Sequence, residues 1–156
     1  MQQRYMVTNT KKPHGKNLRK GRFSEPGRIY TIIVVTHNRQ PIFLDFALAR
    51  LFIGILRRHE EMEFARTLSF VVMPDHFHWL MKLGHKQNLS QVVRGVKSIF
   101  SRKAGRSVFQ NGFYDHAVRQ DEDIQEISRY MVMNPVRAGL VTHYNDYPHW
   151  DAIWVE

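Results

Sequence analysis

The chemistry this chain could perform centres on two histidines in Phe70-Val-Val-Met-Pro-Asp-His-Phe-His-Trp-Leu80. On an extended strand His76 and His78, two residues apart, project from one face while Phe77 points to the other. Two imidazoles so placed suit two ligands of a single divalent ion. The spacing alone does not separate a metal pair from two solvent-facing histidines in a chain that has nine, so context decides. The chain has no cysteine. Disulfides, thiolate zinc sites and a cysteine nucleophile are therefore excluded, a reducing compartment is suitable, and any metal must rely on histidine, carboxylate, amide or water.

Among six tyrosines, two have neighbours that could matter. Tyr114 precedes Asp115 and His116, which looks like a nucleophile beside a base. On a strand, however, Tyr114 and Asp115 face opposite ways. Tyr130 and Asn134 are four apart, about 40° around a helix, and so share a face, with Ile124, Ile127 and Met131 forming an apolar stripe to one side. A tyrosine at such a position is also what a core-flanking aromatic looks like. Asp115 and His116 receive no catalytic assignment; Asp75, in the turn before the histidines, is placed to orient them.

These residues need a scaffold. Arg28–Thr36 is rich in β-branched residues and reads as a strand. In Phe46–Arg58 the apolar positions 48, 51, 52, 55 and 56 mark one face of a helix, with Asp45 available as N-cap. Two strands, Leu68–Met73 and His76–Leu83, are separated by Pro74-Asp75, which favours a tight connection. A second helix starts at Leu89 and stops at Gly105; Arg94, Lys97 and Arg102 lie off its apolar face. Phe113–Arg119 is a further strand, and Asp121-Glu-Asp-Ile opens a third helix that Pro135 should end at Asn134. The order β-α-β-β-α-β plus a helix predicts an α+β, ferredoxin-like split βαβ sandwich, with helices on one face of an antiparallel sheet and a C-terminal helix added.

With 156 residues, 43% of them hydrophobic, the chain is the size of one domain. The net charge of +9 is uneven: residues 1–28 hold eight Lys/Arg against Glu25, and the remainder 15 against 13. We divide the chain into a basic arm, 1–27, and a single domain, 28–156. The arm also contains prolines and glycines, builds no core, and suits phosphate contacts. No apolar run nears the roughly 20 residues that span a bilayer, so a cytoplasmic protein without a membrane partner is expected.

The histidine segment resembles the His-hydrophobic-His motif of single-tyrosine HUH transposases, and specifically the REP-associated tyrosine transposases within the IS200-like group. The similarity extends from Gly21-Arg-Phe-Ser-Glu-Pro-Gly-Arg28, through Gly112-Phe-Tyr-Asp-His-Ala-Val-Arg119, to Tyr130-Met-Val-Met-Asn-Pro-Val-Arg-Ala-Gly-Leu-Val141. It thus covers nearly the whole chain in the family's order.

The resemblance implies that Tyr130 is the nucleophile and that Asn134 joins His76 and His78 around Mg²⁺ or Mn²⁺, a set compatible with such ions. It implies cleavage of single-stranded, hairpin-bearing DNA from repetitive extragenic palindromes, through a 5′-phosphotyrosine and a free 3′-hydroxyl that permits strand transfer. It also implies action as a monomer rather than a homodimer. The DNA would be held by Lys16, Arg19, Lys20, Arg22 and Arg28 of the arm region, by Arg94 and Lys97 of the second helix, and by stacking on aromatics such as Phe113 or Trp79. Two other readings compete: a non-catalytic nucleic-acid-binding module on the same kind of sheet, which would present aromatics on its central strands, and a metal-dependent hydrolase that uses water.

Overall fold

A computed structural model of the chain describes residues 24–154. Along the chain run β1 (Ile29–Val35), α1 (Phe46–Glu61), β2 (Ala65–Met73), β3 (His76–Leu83), α2 (Leu89–Ala104), β4 (Tyr114–Ala117), α3 (Ile124–Val132), α4 (Asn134–Arg137) and β5 (Trp150–Ala152). The strands form one antiparallel sheet in the order β4-β1-β3-β2-β5. The α+β sandwich expected from the sequence is the architecture found.

The helices start and stop for local reasons. The Asp45 side chain accepts from Leu48 N at the start of α1. Asn88 and Gln91 form a reciprocal capping box at the start of α2, which ends on Gly105 at φ 81°, a left-handed turn that glycine adopts without a Cβ penalty. Asp123 caps α3 through Gln125 N and Glu126 N.

Alternation along the strands divides the core in two. Tyr30, Ile32, Val34, Phe70, Val72, Phe77, Trp79, Met81 and Leu83 face α1 and α2, where Phe52, Leu56, Val92, Val96 and Phe100 cover them. Leu68, Val71, Met73 and Leu80 face the other way and pack with Met131 of α3 and with Tyr147, whose hydroxyl donates to Val72 O at 2.5 Å. His76 and His78 share the parity of Leu80 and so belong to this second face, under the C-terminal helix.

Three features depart from expectation. The edge strand β5, paired to β2 through Val71 and Trp150, is not foreseen in the sequence. Pro135 does not simply end the third helix: α3 stops at Val132 and the chain resumes as α4 with the proline in its first turn. A proline nitrogen cannot donate to the carbonyl four residues back. Here the Met131 carbonyl receives instead the Asn134 side-chain Nδ2, at 3.1 Å. Third, Trp79 cannot stack on DNA: it is fully buried, and its indole N–H donates to Thr67 Oγ1 at 2.9 Å. As the chain's bulkiest core side chain, it fills the space beneath α1 and α2.

Residues 24–27 are tied to the domain, Ser24 Oγ accepting from Leu89 N and Gly27 N donating to Leu83 O. Lys16, Arg19, Lys20 and Arg22 lie outside the described residues.

Candidate active site

β3 is the centre of the sheet, flanked by β1 and β2, so the backbone of the two histidines is held on both sides. Their rings lie 5.0 Å apart, centroid to centroid, near a T-shaped arrangement. Both side chains are buried, His76 fully. The registers Val71↔His78↔Ile33 and Ile33↔Tyr114 set Val71, His78, Ile33 and Tyr114 in one row across the sheet, all on the same face.

His76 is oriented by its predecessor. Asp75 Oδ1 accepts from Nδ1 of His76 at 2.7 Å, and Asp75 Oδ2 accepts from Arg39 Nη1 at 3.0 Å. A carboxylate on Nδ1 fixes the proton there and leaves Nε2 as the lone-pair donor, the second-sphere arrangement usual for metal-binding histidines. Arg39 reaches Asp75 from a tight turn in which Asn38 and Arg39 hold left-handed φ values of 55° and 51°. The sequence carries no periodic signal for that contact. Burial pushes the Asp75 carboxyl up, but its bonds and charges from His76 and Arg39 outweigh this, and the net shift is downward. Burial lowers His76, against the pull of Asp75. His78 is held well below the usual histidine value by burial first, then by the charges of His76 and Arg137. Neutral imidazoles are the form that can ligate a metal.

The Nε2 of His78 is buried with no hydrogen-bond partner, a costly state for a polar atom unless something else meets it. That observation, with the tautomer enforced on His76, fits a metal better than two surface histidines. Among the described residues no group of three histidine or acidic side chains surrounds a common point, so further ligands would have to be amide or water. Asn134 is an available amide: it is buried in α4, which packs on β2, and its Nδ2 is engaged by Met131 O.

The break at Met133 gives Tyr130 and Asn134 different surroundings despite their i, i+4 spacing. Asn134 is 4% exposed and Tyr130 57%. An exposed tyrosine on a helix that otherwise docks by Met131 and Val132 is not serving the core. Its ring is covered by a residue the sequence reading passed over: Arg137 Cζ lies 3.6 Å from the Tyr130 ring centroid.

On the histidine face α3 packs on β2 and β5, and α4 on β2. Over β1 and β4, Ile29, Thr31, Ile33 and Tyr114 are half-buried and His116 is exposed. His116 Nε2 pairs with Glu122 Oε1 at 2.9 Å, and Asp115 lies on the face opposite Tyr114.

Of the basic residues expected to bind DNA, Arg28 pairs with Glu25 Oε1 at 3.0 Å. Lys97 directs its ammonium into the carbonyls of Gln110 and Gly112, at 3.0 and 2.9 Å, and burial lowers its pKa to about 8. Arg94 and Lys97 line an open groove of about 880 Å³ beside α2, together with Arg102, Arg106 and Phe113. Residues 76–114 contain seven Lys/Arg and no Asp or Glu, so this groove meets no local counter-charge from its own segment.

The family profile described as Transposase IS200 like matches residues 26–133, from near the start of the described fold to the end of α3. A REP-associated tyrosine transposase of Escherichia coli (strain K12) is 31% identical over 83 residues, 51% of this chain and 50% of that protein. The chain therefore aligns with only half of that relative's length. A putative REP-associated tyrosine transposase of Haemophilus influenzae is 24% identical over 139 residues, covering 79% of this chain and 78% of the relative. The solved structure of a REP-associated tyrosine transposase bound to a REP hairpin superposes with a TM-score of 0.70 at 25% identity, over 83% of this chain and 79% of that one. A structure of a putative transposase from Deinococcus radiodurans matches with a TM-score of 0.50 at 19% identity, covering 65% and 86%. With β1 to β4, the histidine pair and the tyrosine helix inside the matched region, the chain belongs to the IS200-like transposase family of DNA-processing proteins.

Proposed function

We propose that the protein is a metal-dependent, single-strand DNA endonuclease and strand transferase that acts on hairpin-bearing DNA through a 5′-phosphotyrosine on Tyr130. The observation that carries this reading is the pairing of two buried, neutral histidines, one with an unpartnered Nε2, with an exposed tyrosine on the helix packed over the same face. The similar protein solved with a REP hairpin supports DNA of that kind as substrate.

His76, His78 and Asn134 would hold Mg²⁺ or Mn²⁺, which when bound supplies positive charge that polarises the scissile phosphate. Asp75 keeps His76 in the ligating tautomer. Tyr130 then attacks phosphorus in line: the phenolic proton is lost to solvent, the Oη–P bond forms as the P–O3′ bond breaks, and the 3′ oxygen takes up a proton from solvent, leaving the step neutral in protons overall. The 3′-hydroxyl can later reverse the step, so the bond energy is retained for strand transfer. Phosphates outside the reacting one would lie along the groove of Arg94, Arg102 and Arg106. The binding-module reading needs aromatics displayed on the central strands, whereas Phe77 and Trp79 are covered by α1 and α2.

The test is incubation with hairpin-bearing single-stranded DNA and Mn²⁺, followed by a denaturing gel. A covalent protein–DNA adduct is expected from the wild type and none from Tyr130→Phe, with DNA binding intact. Cut DNA without adduct would support water as nucleophile, and neither product a binding module. Loss of the adduct in Tyr114→Phe, with Tyr130→Phe active, would move the nucleophile to β4.

A further inference from the structure

Arg137 stands seven residues after Tyr130, in the short helix that follows the Met133 break. Its guanidinium carbon is 3.6 Å from the tyrosine centroid, van der Waals contact and well inside the roughly 6 Å at which a cation is held by a ring face. The residue as a whole remains exposed at the surface; the guanidinium is desolvated on its ring side, which lowers its pKa somewhat. Its charge is felt by His78 as well as by Tyr130. Arg137 therefore lies where it acts on both halves of the candidate site.

No carboxylate neutralises it among the described residues: the influences on it are burial and Tyr130, and it forms no salt bridge there. At 3.6 Å the tyrosine ring meets the guanidinium from one side, and the N–H fork turned away from the ring has the geometry to match two oxygens of a phosphate. An arginine set against the ring of the proposed nucleophile, its charge felt at His78 and with no salt bridge among the described residues, is arranged for an anion at the reacting position.

We propose that Arg137 is a further catalytic residue: stacked on Tyr130, it binds the non-bridging oxygens of the scissile phosphate through its N–H edge and holds the phosphorus in line with the tyrosine. This rests on the reading of Tyr130 as nucleophile. As the Oη–P bond forms and the P–O3′ bond breaks, negative charge grows on those oxygens, and Arg137 meets it there.

The test compares Arg137→Ala, Arg137→Gln and Arg137→Lys in the full chain, measuring single-turnover adduct formation and DNA affinity separately on a hairpin-bearing single-stranded oligonucleotide with Mn²⁺. Arg137→Ala is expected to slow adduct formation about 100- to 1,000-fold, the usual loss for one charge-stabilising donor, with Kd within about threefold. Arg137→Lys retains charge without the fork and should recover at least about tenfold of the loss; Arg137→Gln retains a planar stack without charge and should be as slow as Arg137→Ala. The proposal is overturned if Arg137→Ala reacts within about threefold of wild type, if Arg137→Gln restores the rate, if Lys and Ala are equally slow, or if the loss lies in Kd. Tyr130→Phe run alongside separates the two readings: an adduct from that variant, or none from wild type, sinks the nucleophile assignment itself.

Discussion

Replacing Asp75 with asparagine tests whether the turn before the histidines sets the metal affinity. The carboxylate satisfies two donors at once, Nδ1 of His76 at 2.7 Å and Nη1 of Arg39 at 3.0 Å. An asparagine of the same shape has one acceptor oxygen. If that oxygen stays with His76, the amide NH₂ confronts Arg39. If it turns to Arg39, the NH₂ donates to Nδ1 and forces the proton onto Nε2, the atom a metal needs. Loss of such a second-sphere partner typically costs 10- to 100-fold in metal affinity, which is about 1.4 to 2.7 kcal/mol. Arg39→Ala removes the outer, partly exposed ion pair to Asp75, worth about 1 kcal/mol or less, so its effect on metal affinity should stay below about fivefold. The assay is Mn²⁺ titration in the presence of hairpin DNA, following free Mn²⁺ by electron paramagnetic resonance, with circular dichroism melts to confirm folding. A folded Asp75→Asn protein that binds Mn²⁺ as tightly as wild type refutes the orienting role.

Two further perturbations probe the scaffold. Lys97 has a folded pKa of about 8 against an ordinary 10.5, so between these values the unfolded chain holds a proton the folded chain has released. The cost of burying its charge is fully present below pH 8 and is relieved as pH rises; relative to Lys97→Met, wild-type stability in urea should gain about 2 kcal/mol between pH 8 and 10. A constant difference across that range would refute the assignment. Met131→Ala removes the buried anchor of α3 against Val71, Met73 and Leu80 and should cost about 2 to 4 kcal/mol in denaturant unfolding. Because α3 also carries Tyr130, adduct formation should fall with it; full activity at reduced stability would show that the helix is positioned by other contacts.

The readable parts of the molecule were those set by local chemistry. Pro74-Asp75 separated β2 from β3, His76 to Leu83, and Gly105 marked the end of α2. The histidine pair was legible because strand parity alone puts 76 and 78 on one face. What stayed hidden depends on distant partners. β5 has three residues, too few to alternate, and exists because β2 offers an open edge. Trp79 could not be told from a surface aromatic until α1 and α2 were in place. Arg39 and Arg137 are ordinary basic residues in the sequence; only the folded backbone brings one to Asp75 and the other to Tyr130.

The sheet order has a consequence for how a substrate must travel. β4 and β5, of four and three residues, are short edges that offer little backbone for an incoming strand to pair with. β3, two strands in from β4, has its hydrogen-bonding groups taken up by β1 and β2. A second polypeptide strand therefore has little free sheet edge to add to. Under the function proposed above, a DNA strand would reach the histidines across their own face of the sheet, over the half-buried Thr31, Ile33 and Tyr114 of β1 and β4, so the approach to the site would be a surface and not an edge.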